Sequence, residues 1–161
     1  MGMTIIEKIL ARRSGAAKVS PGDLAVVDVD ATVLTDQSFR PGSWRTLRKV
    51  ADPTKVIVIL DHGVPPPDRK TAAAHLVARD FVSRFNISRF HDIGRDTGIS
   101  HVVVAERAYA LPGTVLICGD SHTCSGGAFN CAARGVGAPD MIYAVRRNRQ
   151  DLVSCGTHDP L

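Results

Sequence analysis

Three short stretches of this 161-residue chain gather side chains able to move protons. The richest runs Gly119-Asp120-Ser121-His122-Thr123-Cys124, a carboxylate, a hydroxyl and an imidazole in close succession. A carboxylate beside an imidazole can orient the ring and raise its basicity, and an imidazole exchanges its proton near neutral pH. The second stretch is Asp61-His62-Gly63; the third sets His101 directly ahead of Val102-Val103-Val104. Each admits a plainer reading. Asp120, Ser121 or Thr123 suits a helix N-cap, and His101 suits a half-buried histidine satisfied by backbone. Repetition favours a shared site, because two Asp–His steps each follow an apolar run in one small chain.

The elements that must position these residues read as strands alternating with helices. The apolar run before Gly119 is expected to be a short buried strand, with the glycine freeing the turn at its end. Val56-Ile57-Val58-Ile59-Leu60 is an unbroken aliphatic run, which fits a parallel strand covered on both faces. Residues 24–29 read as a further strand after the Pro21-Gly22 turn. A first helix is expected to start at Thr4, with Glu7 as its capping-box partner. A second is expected over residues 43–50 and a third over residues 71–85. In that third helix Ala74, Val77, Ala78, Phe81, Val82 and Phe85 recur at steps of three and four, and His75 is expected to be solvated or flanking. Residues 126–134 read as the start of another helix. Residues 30–42 read as a loop whose Asp36 and Gln37 suit turn chemistry as well as ligand contact. The expected class is α/β, a mostly parallel sheet with helices on its faces. Its polar clusters then fall beyond the carboxyl ends of strands, where open α/β sheets bind ligands.

Composition narrows the function classes. Hydrophobic residues make up 44% and charged residues 22%, ordinary for a soluble globular domain. The net charge of +4 is mostly scattered and only 5% of residues are aromatic, which argues against a nucleic-acid module. No apolar run approaches the roughly 20 residues that cross a bilayer, and Glu7, Lys8 and Arg12 interrupt any signal pattern. A cytoplasmic protein is the expectation. Cys118, Cys124, Cys131 and Cys155 lack CxxC spacing and are expected to be thiols. Cys118, His122, Cys124 and Cys131 match no common zinc spacing.

Taken together, Val58-Ile59-Leu60-Asp61-His62, Gly98-Ile99-Ser100-His101-Val102-Val103 and Gly119-Asp120-Ser121-His122-Thr123-Cys124 with Gly127-Ala128-Phe129 resemble the aconitase superfamily. Within it the chain is most similar to the 3-isopropylmalate dehydratase large-subunit branch and its homoaconitase-like relatives, over roughly residues 2–145. The resemblance implies the N-terminal part of a multi-domain fold and a hydro-lyase that removes water from a hydroxy di- or tricarboxylic acid, as in leucine biosynthesis. It implies a 4Fe–4S cluster acting as Lewis acid and a small-subunit partner. By position it makes Asp61, His62, His101, Asp120 and His122 catalytic, with Ser121 and Gln37 contacting substrate. The family's cluster cysteines match none of this chain's four, so the chain alone is expected to bind no cluster and to be inactive.

Residues 146–161 show neither helical nor strand period and read as a tail outside the family pattern. Codons for residues 148–161 can be chosen so that the next reading frame spells a string resembling the family's continuation. A frameshift near Arg146 that truncated a longer subunit is therefore the expectation. Two other readings stay open: a non-catalytic fragment, and a small module in which His62, His101 and His122 bind a divalent ion.

Overall fold

Alternation along two apolar strands decides the architecture. In the computed structural model, which describes residues 2–94 and 96–153, Val56–Ile59 forms strand β3 and Val115–Cys118 forms β5, each buried along its whole length. Val58 and Ile117 join one apolar cluster, while Ile57, Ile59, Leu116 and Cys118 join another. Successive side chains of a strand point to opposite faces, so both faces of this sheet must be covered. Helix α1 (Ile5–Ser14), helix α2 (Arg69–Phe85) and helix α4 (Ala138–Arg147) supply Leu10, Phe81 and Met141 to the larger cluster. Helix α3 (Ser100–Glu106) supplies Val103 and Val104 to the smaller one. The capping box at Thr4 and Glu7 starts α1 as its sequence requires.

The main sheet has five parallel strands in the order β4-β3-β2-β5-β6, with β2 at Ala31–Thr35, β4 at Arg89–His91 and β6 at Ala132–Gly135. The chain enters at the centre on β2, steps outward through β3 and β4, then returns to the other side for β5 and β6. That reversal opens a crevice at the carboxyl ends of β2, β3 and β5. A separate antiparallel pair joins β1 (Leu24–Asp28) to β7 (Arg149–Val153).

Four stretches depart from the sequence expectations, and one left unassigned there takes a form its residue types disfavour. The segment read as a loop from residue 30 contains β2, the central strand, with all five residues buried. Residues 43–50 form turns, not a helix. Trp44 has φ +64° and donates its indole N–H to the Ser38 carbonyl at 3.0 Å. Arg84 of α2 donates to the carbonyls of Trp44 and Leu47, at 2.8 and 3.5 Å, so these acceptors are served from outside the segment. The valine run after His101, assigned no element from the sequence, lies in α3, because its burial against the sheet outweighs its strand propensity. Instead of a helix over residues 126–134, a 3-10 helix covers Ser121–Phe129 and β6 follows. Gly126 lies so close to β6 that an added Cβ would sit 2.7 Å from the Ala133 Cβ. Finally, the stretch from residue 146 supplies the end of α4 and all of β7, while residues 154–161, including Cys155, lie outside the described residues.

A candidate active site at the carboxyl edge of the sheet

Each of the three central strands ends in a carboxylate. Asp36 follows β2 directly, Asp61 stands two residues past β3, and Asp120 two residues past β5. The turns after β3 and β5 then aim an imidazole back over the edge. His62 Nδ1 lies 2.8 Å from Asp61 Oδ1 and 3.3 Å from Asp36 Oδ1, and its Nε2 lies 3.4 Å from Asp120 Oδ2. His101, on the first turn of α3, places Nε2 2.8 Å from Asp120 Oδ1. His122 brings Nδ1 within 3.3 Å of the same oxygen, and its backbone N–H donates to it at 2.7 Å. The rings of His101 and His122 meet edge to face at 6.1 Å between centroids. Asp120 is therefore the hub on which three imidazoles converge.

Supporting contacts fix these groups. Asp61 Oδ2 accepts the Ser100 N–H at 2.7 Å, tying the β3 turn to the start of α3. Asp36, only 4% exposed, accepts the His62 and Gly63 N–H groups at 3.2 and 2.8 Å. Asp120 also caps the 3-10 helix, accepting from the His122 N–H as the plain capping reading expects. Gly135 backs this turn so closely that a Cβ there would collide with the Asp120 carbonyl oxygen. Gly63 meets Thr71 of α2 in the same way.

The electrostatics follow from the contacts. Burial opposes ionisation of Asp120, but the His122 backbone N–H and the imidazoles of His101 and His62 outweigh it and hold the carboxyl at about 2. Burial likewise disfavours a charged His62 ring, yet Asp61 first, then Asp36 and Asp120, raise its proton affinity above the ordinary imidazole value. The arrangement favours the protonated form of the His62 imidazole beside an ionised carboxylate, a state suited to proton donation.

Asp61, His62, His101, Asp120 and His122 thus come together. Ser121 opens the 3-10 helix and is exposed. Gln37 lies beside Asp36, exposed, and shares a cavity of about 330 Å³ with Arg40, Gly119 and Gly137. Sequence reasoning missed His75 and left Asp36 as an undecided loop residue. The misreading of β2 left Asp36 between turn chemistry and ligand contact, because its place at the carboxyl end of a central strand was not visible. His75, read as solvated or flanking, is 1% exposed and lies 3.7 Å from Asp36. Its position three before Ala78 and seven before Val82 put it on the buried stripe of α2.

Donor atoms within 4.8 Å of one another form two sets, His101–Asp120–His122 and Asp36–Asp61–His62. Among the described residues no set unites all three site imidazoles, as a single three-histidine metal centre requires. No cysteine belongs to either set. Cys118 and Cys131 are buried and Cys124 is exposed. Burial pushes the Cys118 thiol up to about 11.

Residues 30–150 match the family model described as "Aconitase family (aconitate hydratase)". The chain is 50% identical over 145 residues to the 3-isopropylmalate dehydratase large subunit of Mycolicibacterium smegmatis, covering 90% of this chain and 34% of that protein. It is 39% identical over 145 residues to the probable 3-isopropylmalate dehydratase large subunit of Methanothermobacter thermautotrophicus, with coverages of 88% and 34%. Against the methanogen homoaconitase large subunit of Methanocaldococcus jannaschii it is 41% identical over 145 residues, with coverages of 88% and 33%. The chain spans about a third of the length of the curated relatives it matches.

Proposed function

The chain belongs to the aconitase family, and on that premise we propose that it forms one wall of a hydro-lyase site. That site adds or removes water on a hydroxy di- or tricarboxylic acid such as 3-isopropylmalate. One observation carries the reading: three imidazoles from separate parts of the chain converge on Asp120 at the carboxyl edge of the sheet. Loss of water from a hydroxy acid needs a proton delivered to the departing hydroxyl. His62 is the group suited to deliver it, with Nδ1 anchored on Asp61 and Nε2 facing the cluster. His101, oriented by Asp120, and the exposed His122 line the side from which a carboxylate-bearing substrate enters. Ser121 and Gln37 flank the cluster as substrate contacts.

Among the described residues, the iron–sulfur cluster implied by the resemblance finds no donor set. The resemblance implies three thiolates held together, and among the described residues no cysteine joins a group of close donor atoms. Every step assigned to this chain is therefore a proton or hydrogen-bond step at its own atoms. The relatives' name, large subunit, supports a smaller second chain as partner. We place the chain in leucine biosynthesis, in the cytoplasm; among the described residues no helix is long and apolar enough to cross a membrane.

Titration of the chain with 3-isopropylmalate, observed through histidine ring resonances, tests the reading. Saturable shifts at His62, His101 and His122, absent with a simple monocarboxylic acid, are expected. Rings that do not respond at millimolar ligand would overturn it.

A further inference from the structure

His75 is the most buried imidazole of the molecule's described part, and neither of its ring nitrogens has a hydrogen-bond partner. A buried polar group without a partner calls for an explanation. Two carboxylates bear on this ring. Asp92, beyond β4, is already engaged by Arg79, whose Nε and Nη2 donate to its two oxygens at 2.7 and 2.8 Å. Among the described residues Asp36 has no such guanidinium. Among the described residues only His62 and His75 lie within ion-pair range of it, with His75 Nε2 3.7 Å from Oδ2.

The consequence reaches His62. Its Nδ1 lies 2.8 Å from Asp61 Oδ1 but also 3.3 Å from Asp36 Oδ1. A single ring N–H serves one acceptor well, so whatever holds Asp36 decides which carboxylate His62 uses. We propose that His75 is a positioning residue whose Nε2–H donates to Asp36 Oδ2. This holds the carboxylate so that it grips the His62–Gly63 backbone and leaves the His62 Nδ1–H to Asp61. A small rotation of the Asp36 carboxylate about its Cβ–Cγ bond closes the remaining gap. Thr71, pressed on Gly63 from the same helix, keeps the loop against α2 while that contact forms. His75 thus acts on the proton donor from beneath, without touching substrate. The proposal deepens the hydro-lyase reading, but its test reads the rings directly and holds whether or not a hydroxy acid binds.

The test is nitrogen-15 spectroscopy of the imidazoles in the full chain, ligand-free. In the unmodified chain the His75 proton is expected on Nε2 and the His62 proton on Nδ1, protected from exchange. A His75 ring with its proton on Nδ1 and Nε2 bare overturns the proposal without any substitution. His75→Leu is expected to remove the protected His62 Nδ1–H signal, and His75→Gln, whose amide N–H points the same way, to restore it. A His62 signal unchanged in a His75→Leu chain that keeps its amide dispersion overturns it, as does equal loss with Gln. Should His75→Leu fail to fold, Asp36→Asn decides. It is expected to shift the His75 Nε2 resonance, and an unmoved resonance overturns the assignment.

Discussion

The turn after β3 and the turn after β5 look alike in sequence, each a carboxylate closely followed by a histidine, yet they are built in opposite senses. In the first, His62 is turned inward, 29% exposed, and three carboxylates raise its proton affinity. In the second, His122 is 81% exposed, and its carboxylate serves rings from elsewhere, His62 and His101, as fully as its own. One turn supplies a proton-bearing ring; the other supplies the anion that gathers rings. A neighbouring pair in sequence is thus a poor guide to who partners whom. The carboxylate at the strand end, not the histidine beside it, fixes the geometry.

Removing the hub breaks this contrast most severely. Asp120→Ala strips His62 and His101 of a shared partner and uncaps the 3-10 helix. It is expected to cost about 2–3 kcal/mol of stability, the range for charge-assisted hydrogen bonds, read by urea denaturation. The His62 and His101 ring signals are expected to move together. Gly135→Ala comes next. The added methyl meets backbone, the Asp120 carbonyl oxygen, which cannot swing aside. A loss of roughly 1–3 kcal/mol is expected, as for overpacking in a close-fitted site, with displaced Asp120 and His122 amide resonances.

The pH response sharpens the contrast further. His62 binds its proton more tightly folded than unfolded, because Asp61, Asp36 and Asp120 outweigh burial. Its contribution is complete below about pH 6.5 and fades as pH rises through the raised folded value. His62→Ala is therefore expected to destabilise the chain by on the order of 1 kcal/mol at pH 6 and by less at pH 9. Asp120 works in the other direction, since its carboxyl is held down at about 2. Its contribution stands above about pH 4 and disappears as pH falls toward that value. Denaturation series across both ranges check the two signs. The smallest effect belongs to His122→Ala, within about 0.5 kcal/mol at any pH, because an exposed ring has little packing to lose. A His122 effect as large as that of His62 would erase the asymmetry between the turns.

Much of this was legible in the sequence. The aliphatic run over Val56–Ile59 and the capping box at Thr4 each carry a one-sided signal, and both formed as read. The central strand was not legible. Ala31–Thr35 is flanked by aspartates and interleaved with threonines, so its pattern imitates a turn. Only its position between β3 and β5 makes Thr32 and Thr35 buried residues. Helix α3 was obscured by its valines, whose local preference yields to packing against Ile57 and Ile59. The same division holds for the site. The five residues of the Asp–His steps and His101 were visible by type, but the sharing of Asp120 is a cross-strand fact that no spacing encodes. His75 escaped because an imidazole on a helix is usually wet, and its burial depends on Asp36 lying above it.

The pairing of β1 with β7 carries a consequence of its own. Asp28 and Arg149, paired in register and joined by an ion pair, stand 121 residues apart. Contacts at such separation form slowly, because the intervening chain must first be organised. A ribosome emitting this chain delivers β1 long before β7 emerges, so β1 waits with an open edge. Pulse-labelling during synthesis should find the β1 amides the last to gain protection.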